Sequence, residues 1–87
     1  MKLQRNMAMD YLEVDEDSMV VFNPKSGDTH FLDGVGMDIL EILIKTTDFE
    51  ELILTLSKQY EANEDEMRAD VIEFVDILKS KEIVIEL

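Results

Sequence analysis

The one histidine of the chain, His30, lies in the stretch "GDTHFLD" between Asp28 and Asp33. A histidine flanked by carboxylates is the raw material of a metal site or of general acid–base chemistry. Neither constellation completes itself here. No nucleophile motif accompanies His30, so a Ser–His–Asp arrangement would have to be built on a short strand. Asp28 and Asp33 sit naturally as turn and cap residues, and one imidazole makes a poor metal site. The carboxylate-dense "NEDEMRAD" lacks the glycine and the alternating ligand spacing of a calcium loop, and reads as a solvated helix start. "DGVG", at Asp33–Gly36, has no Lys-Ser/Thr after it and is no phosphate loop. The expectation is therefore a protein without catalytic residues, metal or cofactor.

Composition narrows the classes further. The chain has 87 residues, 46% of them hydrophobic, which fits one small domain over 1–87 with a modest core. There is no cysteine, hence no disulfide framework or thiolate site, and a reducing cytoplasm is the expected compartment. No apolar run reaches the roughly 20 residues of a membrane span. The N-terminal "MKLQRNMA" lacks an apolar h-region, so residues 1–8 read as a flexible tail rather than a signal peptide. Eight Lys+Arg stand against 21 Asp+Glu, a formal charge of −13. Such a field repels phosphate backbones and anionic membranes, which argues against nucleic-acid and membrane partners.

The elements that would position any site divide into strands first and helices after. Met9–Val14 alternates, with Tyr11 on one side and Leu12 and Val14 on the other. "DEDS" supplies a turn, Met19–Asn23 a β-branched and aromatic strand, and "PKSGD" a second turn built on Pro24 and Gly27. Thr29–Leu32 then completes a three-strand antiparallel meander. "MDILEILIK" is apolar nearly all round and belongs at the centre of the core. In "TTDFEELILTLSKQY", Asp48 is placed to cap, with Glu51 reaching back, and Phe49, Leu52, Ile53, Leu56 and Tyr60 recur at helical spacing. Asn63 caps a third helix that runs to about Ser80, and "EIVIEL" closes the chain as an extended segment. Three strands, three helices and a short extended end define an α+β, winged-helix-like domain.

The meander carries the stronger functional signal. If its strands pair in sequence order, Thr29–Leu32 is an edge, and it contains no proline or lysine to blunt it. Such an edge invites an added peptide strand, with main-chain hydrogen bonds for affinity and side-chain pockets for specificity. Two alternatives stay open: the C-terminal "EIVIEL" covers the edge, or two copies pair there as a homodimer. On the third helix, Met67, Val71, Phe74, Val75 and Leu78 form the expected core stripe. Arg68, Ile72, Val75 and Lys79, at i, i+4, i+7 and i+11, form an adjoining half-basic stripe. That stripe either flanks a peptide groove or answers nearby carboxylates as a solvated shoulder.

The order of elements in "MVVFNPKSGDTHFLDGVGMDILEIL" and "FEELILTLSKQYEANEDEMRADVIEFVDILKSKEIV" resembles the PqqD family of pyrroloquinoline quinone synthesis proteins. It also resembles the related recognition domains for ribosomally made, modified peptides. The likeness spans Tyr11 to Val84, carried by Leu32 before the first helix, "ILEIL", a Y-x-A-x-x-x-x-M lead-in and "ADVIEFVDIL". It departs from the usual pattern at Asp33–Gly36, at Thr46–Asp48 and at Glu82, as a divergent relative would. The resemblance implies a non-catalytic peptide chaperone. The leader of a precursor peptide would add as a strand to Thr29, His30, Phe31 and Leu32 and lie against the third helix. The peptide would then pass to a modifying enzyme such as a radical S-adenosylmethionine protein. Carried onto this chain, the helix contacts would be Arg68, Ile72, Val75 and Lys79. The competing readings are a winged-helix DNA-binding regulator, which needs a basic recognition helix, and a structural homo-oligomer paired through the same edge.

Overall fold

The computed structural model describes every residue from Met1 to Leu87. Along the chain run β1 (Leu3–Arg5), β2 (Asp10–Asp15), β3 (Ser18–Phe22) and β4 (Thr29–Asp33), then α1 (Gly34–Ile42), α2 (Phe49–Gln59), α3 (Glu64–Ser80) and β5 (Val84–Glu86). The expected meander is β2-β3-β4, antiparallel throughout. Each of its turns is closed by a side chain that imitates backbone. Asp15 Oδ1 accepts from the Asp17 amide and the Ser18 hydroxyl, both at 2.9 Å. Asn23 Oδ1 accepts from the Lys25 and Ser26 amides. Gly27, at φ 81, then supplies the left-handed residue that brings the chain back into β4.

The helices start where polar caps are available. Asn63 Oδ1 accepts from the amides of Asp65 and Glu66, and three acidic residues fill the first turn of α3. Asp48 caps α2 through the Glu50 amide. Glu51 does not reach back to it as a capping box requires; its carboxylate accepts from the Thr46 hydroxyl at 3.0 Å instead. α1 begins at Gly34, three residues before the apolar run that announces it, because Asp33 is still extended and the chain turns straight from β4 into helix.

The N-terminal residues differ from expectation. Residues 1–8 hold β1, which pairs antiparallel with β5 in a separate two-stranded sheet. Leu3 is fully buried, and its amide donates to the Thr47 carbonyl at 2.8 Å. The Arg5 guanidinium stacks over the Tyr11 ring, 3.8 Å from its centroid, and the Tyr11 hydroxyl donates to the Asn6 carbonyl. A three-residue strand whose only partner lies at the other end of the chain leaves no local pattern to read. The same pairing settles where "EIVIEL" goes: β5 lies beside β1 and leaves β4 uncovered.

The core gathers the inward faces of all three helices, β3, β1 and β5 into one cluster of 18 residues. Leu40, Leu52, Leu56, Val71 and Ile83 are fully buried in it. Three expected core residues lie at its margin instead: Ile44, Tyr60 and Phe74 are exposed. Tyr60 donates its hydroxyl to Asp38, which with partial burial pushes the phenol up to about 12.

Candidate functional site

Strand pairing fixes which backbone groups of β4 are free. The register sets Phe22 opposite Thr29, Val21 opposite His30, Val20 opposite Phe31 and Met19 opposite Leu32. The Asn23 amide donates to the Asp28 carbonyl at 2.8 Å. In an antiparallel ladder, hydrogen-bonded and non-bonded pairs alternate. His30 and Leu32 therefore turn their N–H and C=O groups into β3, whereas Thr29 and Phe31 turn theirs outward. Because the strand order is β2-β3-β4, nothing in the chain receives them.

The two edges of this sheet are treated differently. β2 carries Asp10, Glu13 and Asp15, and its register breaks between Glu13 and Asp15. Charge and a bulge are ordinary protections against strand addition. β4 pairs with β3 through five consecutive residues without a break and has no such device along Thr29–Leu32.

Apolar side chains lie beside the open edge. Leu32 is half-buried on the inner face of the sheet, on the same side as Met19 and Val21. A methyl group built on Gly36, in the first turn of α1, would come within 3.8 Å of the Phe74 ring and 3.9 Å of Leu32 Cδ2. Phe74 of α3 and Leu32 of β4 thus flank the same point, at ordinary van der Waals distance from where a Cβ on Gly36 would stand. At 100° per residue, Ile77 falls on the Phe74 side of the helix, and it is 51% exposed. Leu32 and Phe74 give the open edge apolar neighbours, and Ile77 extends the exposed apolar flank of α3.

The structure brings Thr29, His30, Phe31 and Leu32 together on β4, as the sequence suggests. Of the expected helix residues, one is withdrawn from the surface. Val75 is 2% exposed and packs in the core, out of reach of any partner. Arg68, Ile72 and Lys79 lie on the opposite flank of the buried stripe from Phe74 and Ile77. Arg68 makes a two-pronged ion pair with Glu50 of α2, at 2.6 and 2.7 Å, and sits 5.8 Å from the Phe49 ring. The shared hydrogen bond raises the Arg68 guanidinium and holds the Glu50 carboxyl below the usual carboxylate range. Lys79 is paired with Glu86 of β5 at 2.8 Å. These cations fasten α3 to its neighbours, and Ile72 between them is exposed. Periodicity locates a stripe but does not say which of its flanks meets β4. Phe74, a large aromatic at the margin of the core arc with Ile77 three residues on, was the available signal.

His30 stands opposite Val21, half-buried, with its side chain on the inner face. No group of three or more His, Asp or Glu side chains converges anywhere as metal ligands would. Arg68 and Lys79, the two cations of α3, are each paired with a carboxylate. No helix is long and apolar enough to cross a membrane.

Comparison with known proteins bears on the fold and the family. No curated protein sequence matches the chain. A solved structure described as TbiB1 in complex with the TbiA(beta) leader peptide is similar in fold, with a TM-score of 0.87. The likeness covers 97% of this chain and 96% of that one, at 21% sequence identity. The model of the family described as coenzyme PQQ synthesis protein D matches residues 18–84, from the start of β3 to the start of β5. The chain belongs to the PqqD family.

Proposed function

We propose that this protein is a recognition protein for a ribosomally made precursor peptide, binding its leader and presenting it to a modifying enzyme. The observation that carries the reading is the open edge of β4, where Thr29 and Phe31 aim their backbone groups outward beside Leu32 and Phe74. A leader segment entering there in extended form gains main-chain hydrogen bonds from the edge. Its alternate side chains reach the apolar groove against α3. Membership of the PqqD family and a fold shared with a protein solved bound to a leader peptide support the same reading.

The role of the domain is to bind and position, with the chemistry supplied by its partner. That partner is a peptide-modifying enzyme such as a radical S-adenosylmethionine protein, and the setting is the cytoplasm. The binding residues are Thr29, His30, Phe31 and Leu32 on the strand, with Phe74 and Ile77 on the helix. The formal charge of −13 favours a leader that is apolar in the groove and basic in its flanks over an acidic one. Calorimetric titration with the leader peptides encoded beside the gene tests the function. One leader is expected to bind in a one-to-one complex; no binding by any of them contradicts it.

A further inference from the structure

The turn between β3 and β4 contains a polar group that the fold leaves unused. Asn23 is only 8% exposed. Its Oδ1 accepts from the amides of Lys25 and Ser26, its own amide donates to the Asp28 carbonyl, and its carbonyl accepts from the Gly27 amide. Two N–H donors on Oδ1 fix which way the side-chain amide faces. Nδ2 therefore points away from the turn, and no acceptor of the chain receives its hydrogens. Ser57 Oγ is the one fully enclosed side-chain atom without a partner, so Nδ2 meets open space. An aspartate would close the same turn with the same oxygen. Asparagine adds a donor that the turn does not need.

The space it meets is a cavity of about 400 Å³, where this turn comes up against β5 and the end of α3. Lys25 lines it beside Asn23, and Met9, Val84 and Ile85 give it apolar surface. Lys25 belongs to no ion pair: the two in the chain are Arg68–Glu50 and Lys79–Glu86. Glu82, the single carboxylate of the lining, is exposed, and Lys79 lines the cavity with it. The β5 side is held in place by Asn6, whose Nδ2 donates to the Glu82 carbonyl at 2.7 Å and whose amide donates to the Ile83 carbonyl at 2.8 Å. By contrast, the cavity beside Tyr60 gathers four carboxylates and no cation. Here an unused amide donor, an unpaired ammonium and apolar surface share one enclosure.

We infer that this cavity binds a carboxylate carried on a short apolar body. One carboxylate oxygen accepts from Asn23 Nδ2, the charge faces the Lys25 ammonium, and the apolar part lies against Met9, Val84 and Ile85. The carboxylate belongs either to an acidic side chain of the leader or to a free small acid. The first source rests on the function proposed above. A strand added to β4 runs off its Thr29 end at this same turn, two strand spacings or roughly 10 Å from Asn23, which about three extended residues span. Elsewhere on a surface of formal charge −13 a carboxylate meets like charge. One acidic residue at that spacing, in a flank otherwise basic, then distinguishes the leader that fits from one that does not.

The test titrates hexanoate into the isotope-labelled full chain and follows the Asn23 side-chain amide and the Ile85 backbone amide by NMR. The wild type is expected to show saturable shifts, with a dissociation constant on the order of millimolar for so small a ligand. Hexanamide, which has the same body without the charge, is expected to bind at least about fivefold more weakly. Asn23→Asp keeps the oxygen that closes the turn and replaces the donor with a negative acceptor. Lys25→Gln removes the cation at an exposed position. Each variant, folded by circular dichroism, is expected to weaken hexanoate by about fivefold or more. No saturable shift in the wild type, equal binding of hexanamide, or unchanged affinity in both variants overturns the inference. Leader peptide then separates the two sources. Displacement of hexanoate by the leader, lost when the leader's Asp and Glu are replaced by Asn and Gln, assigns the carboxylate to the leader; otherwise it assigns the site to a free acid. A leader that fails to bind the wild type overturns the proposed function and leaves the hexanoate result standing.

Discussion

Phe31 and Val20 face each other across β3 and β4 at a position where neither exchanges a hydrogen bond with the other. The amide and carbonyl of Phe31 consequently point away from the sheet, into the space where a further strand would lie. A proline at this position removes an outward donor without costing the β3–β4 ladder a bond. Phe31→Pro is expected to remain folded by circular dichroism and to bind leader at least about fivefold more weakly, the worth of about one hydrogen bond. Undiminished affinity in the folded variant contradicts strand addition.

The two flanks of α3 separate in a second experiment. Phe74→Ala and Ile77→Ala remove apolar side chains from the flank of α3 that carries Phe74 and are each expected to weaken leader binding by about tenfold. Arg68→Ala and Lys79→Ala act on ion pairs to α2 and β5, on the far flank, and are expected to leave affinity unchanged. Calorimetry on the four variants decides which flank faces the peptide.

Burial of Leu3 makes the N-terminal segment part of the domain. Leu3→Ala deletes a fully buried side chain from the core and is expected to cost about 2–5 kcal/mol of stability. Urea unfolding measures it. A change well under 1 kcal/mol would mean that β1 is not held against β5.

The acid response follows from two carboxyls. Glu50, through its hydrogen bond to Arg68, and Glu86, through its hydrogen bond to Lys79, are both held below their ordinary value in the folded state. Their contribution is fully present above the ordinary carboxyl value of 4.5 and is lost as pH falls through the lower folded values. Wild type is therefore expected to exceed Glu50→Gln in stability at neutral pH, with the difference closing in acid. Unfolding midpoints at pH 7 and pH 3 check the sign.

Local chemistry made much of this fold legible in advance. The meander could be read because its turns are built from Asp15, Asn23 and Gly27 and its strands alternate. α3 could be read because Asn63 caps it and acidic residues fill its first turn. β1 could not, because Leu3 pairs with β5 at the far end of the chain and no local pattern marks it. The edge on β4 followed from strand order alone, and the residues expected there are the residues found. Which neighbour is buried did not follow: Val75 and Phe74 are adjacent in sequence, and tertiary packing buries the first and leaves the second exposed near Leu32. The pairing of Arg68 with Glu50, 18 residues away, was equally invisible to a pattern that looks for partners one turn along the helix.

Amide hydrogen exchange of β4, with and without leader peptide, tests the central claim most directly. In the free protein the His30 and Leu32 amides, bonded to β3, are expected to exchange slowly, and those of Thr29 and Phe31 to exchange fast. Saturating leader is expected to slow Thr29 and Phe31 selectively, as each gains an acceptor on the added strand. If leader binds while both amides keep their free exchange rates, the peptide does not add to β4 and the account is contradicted.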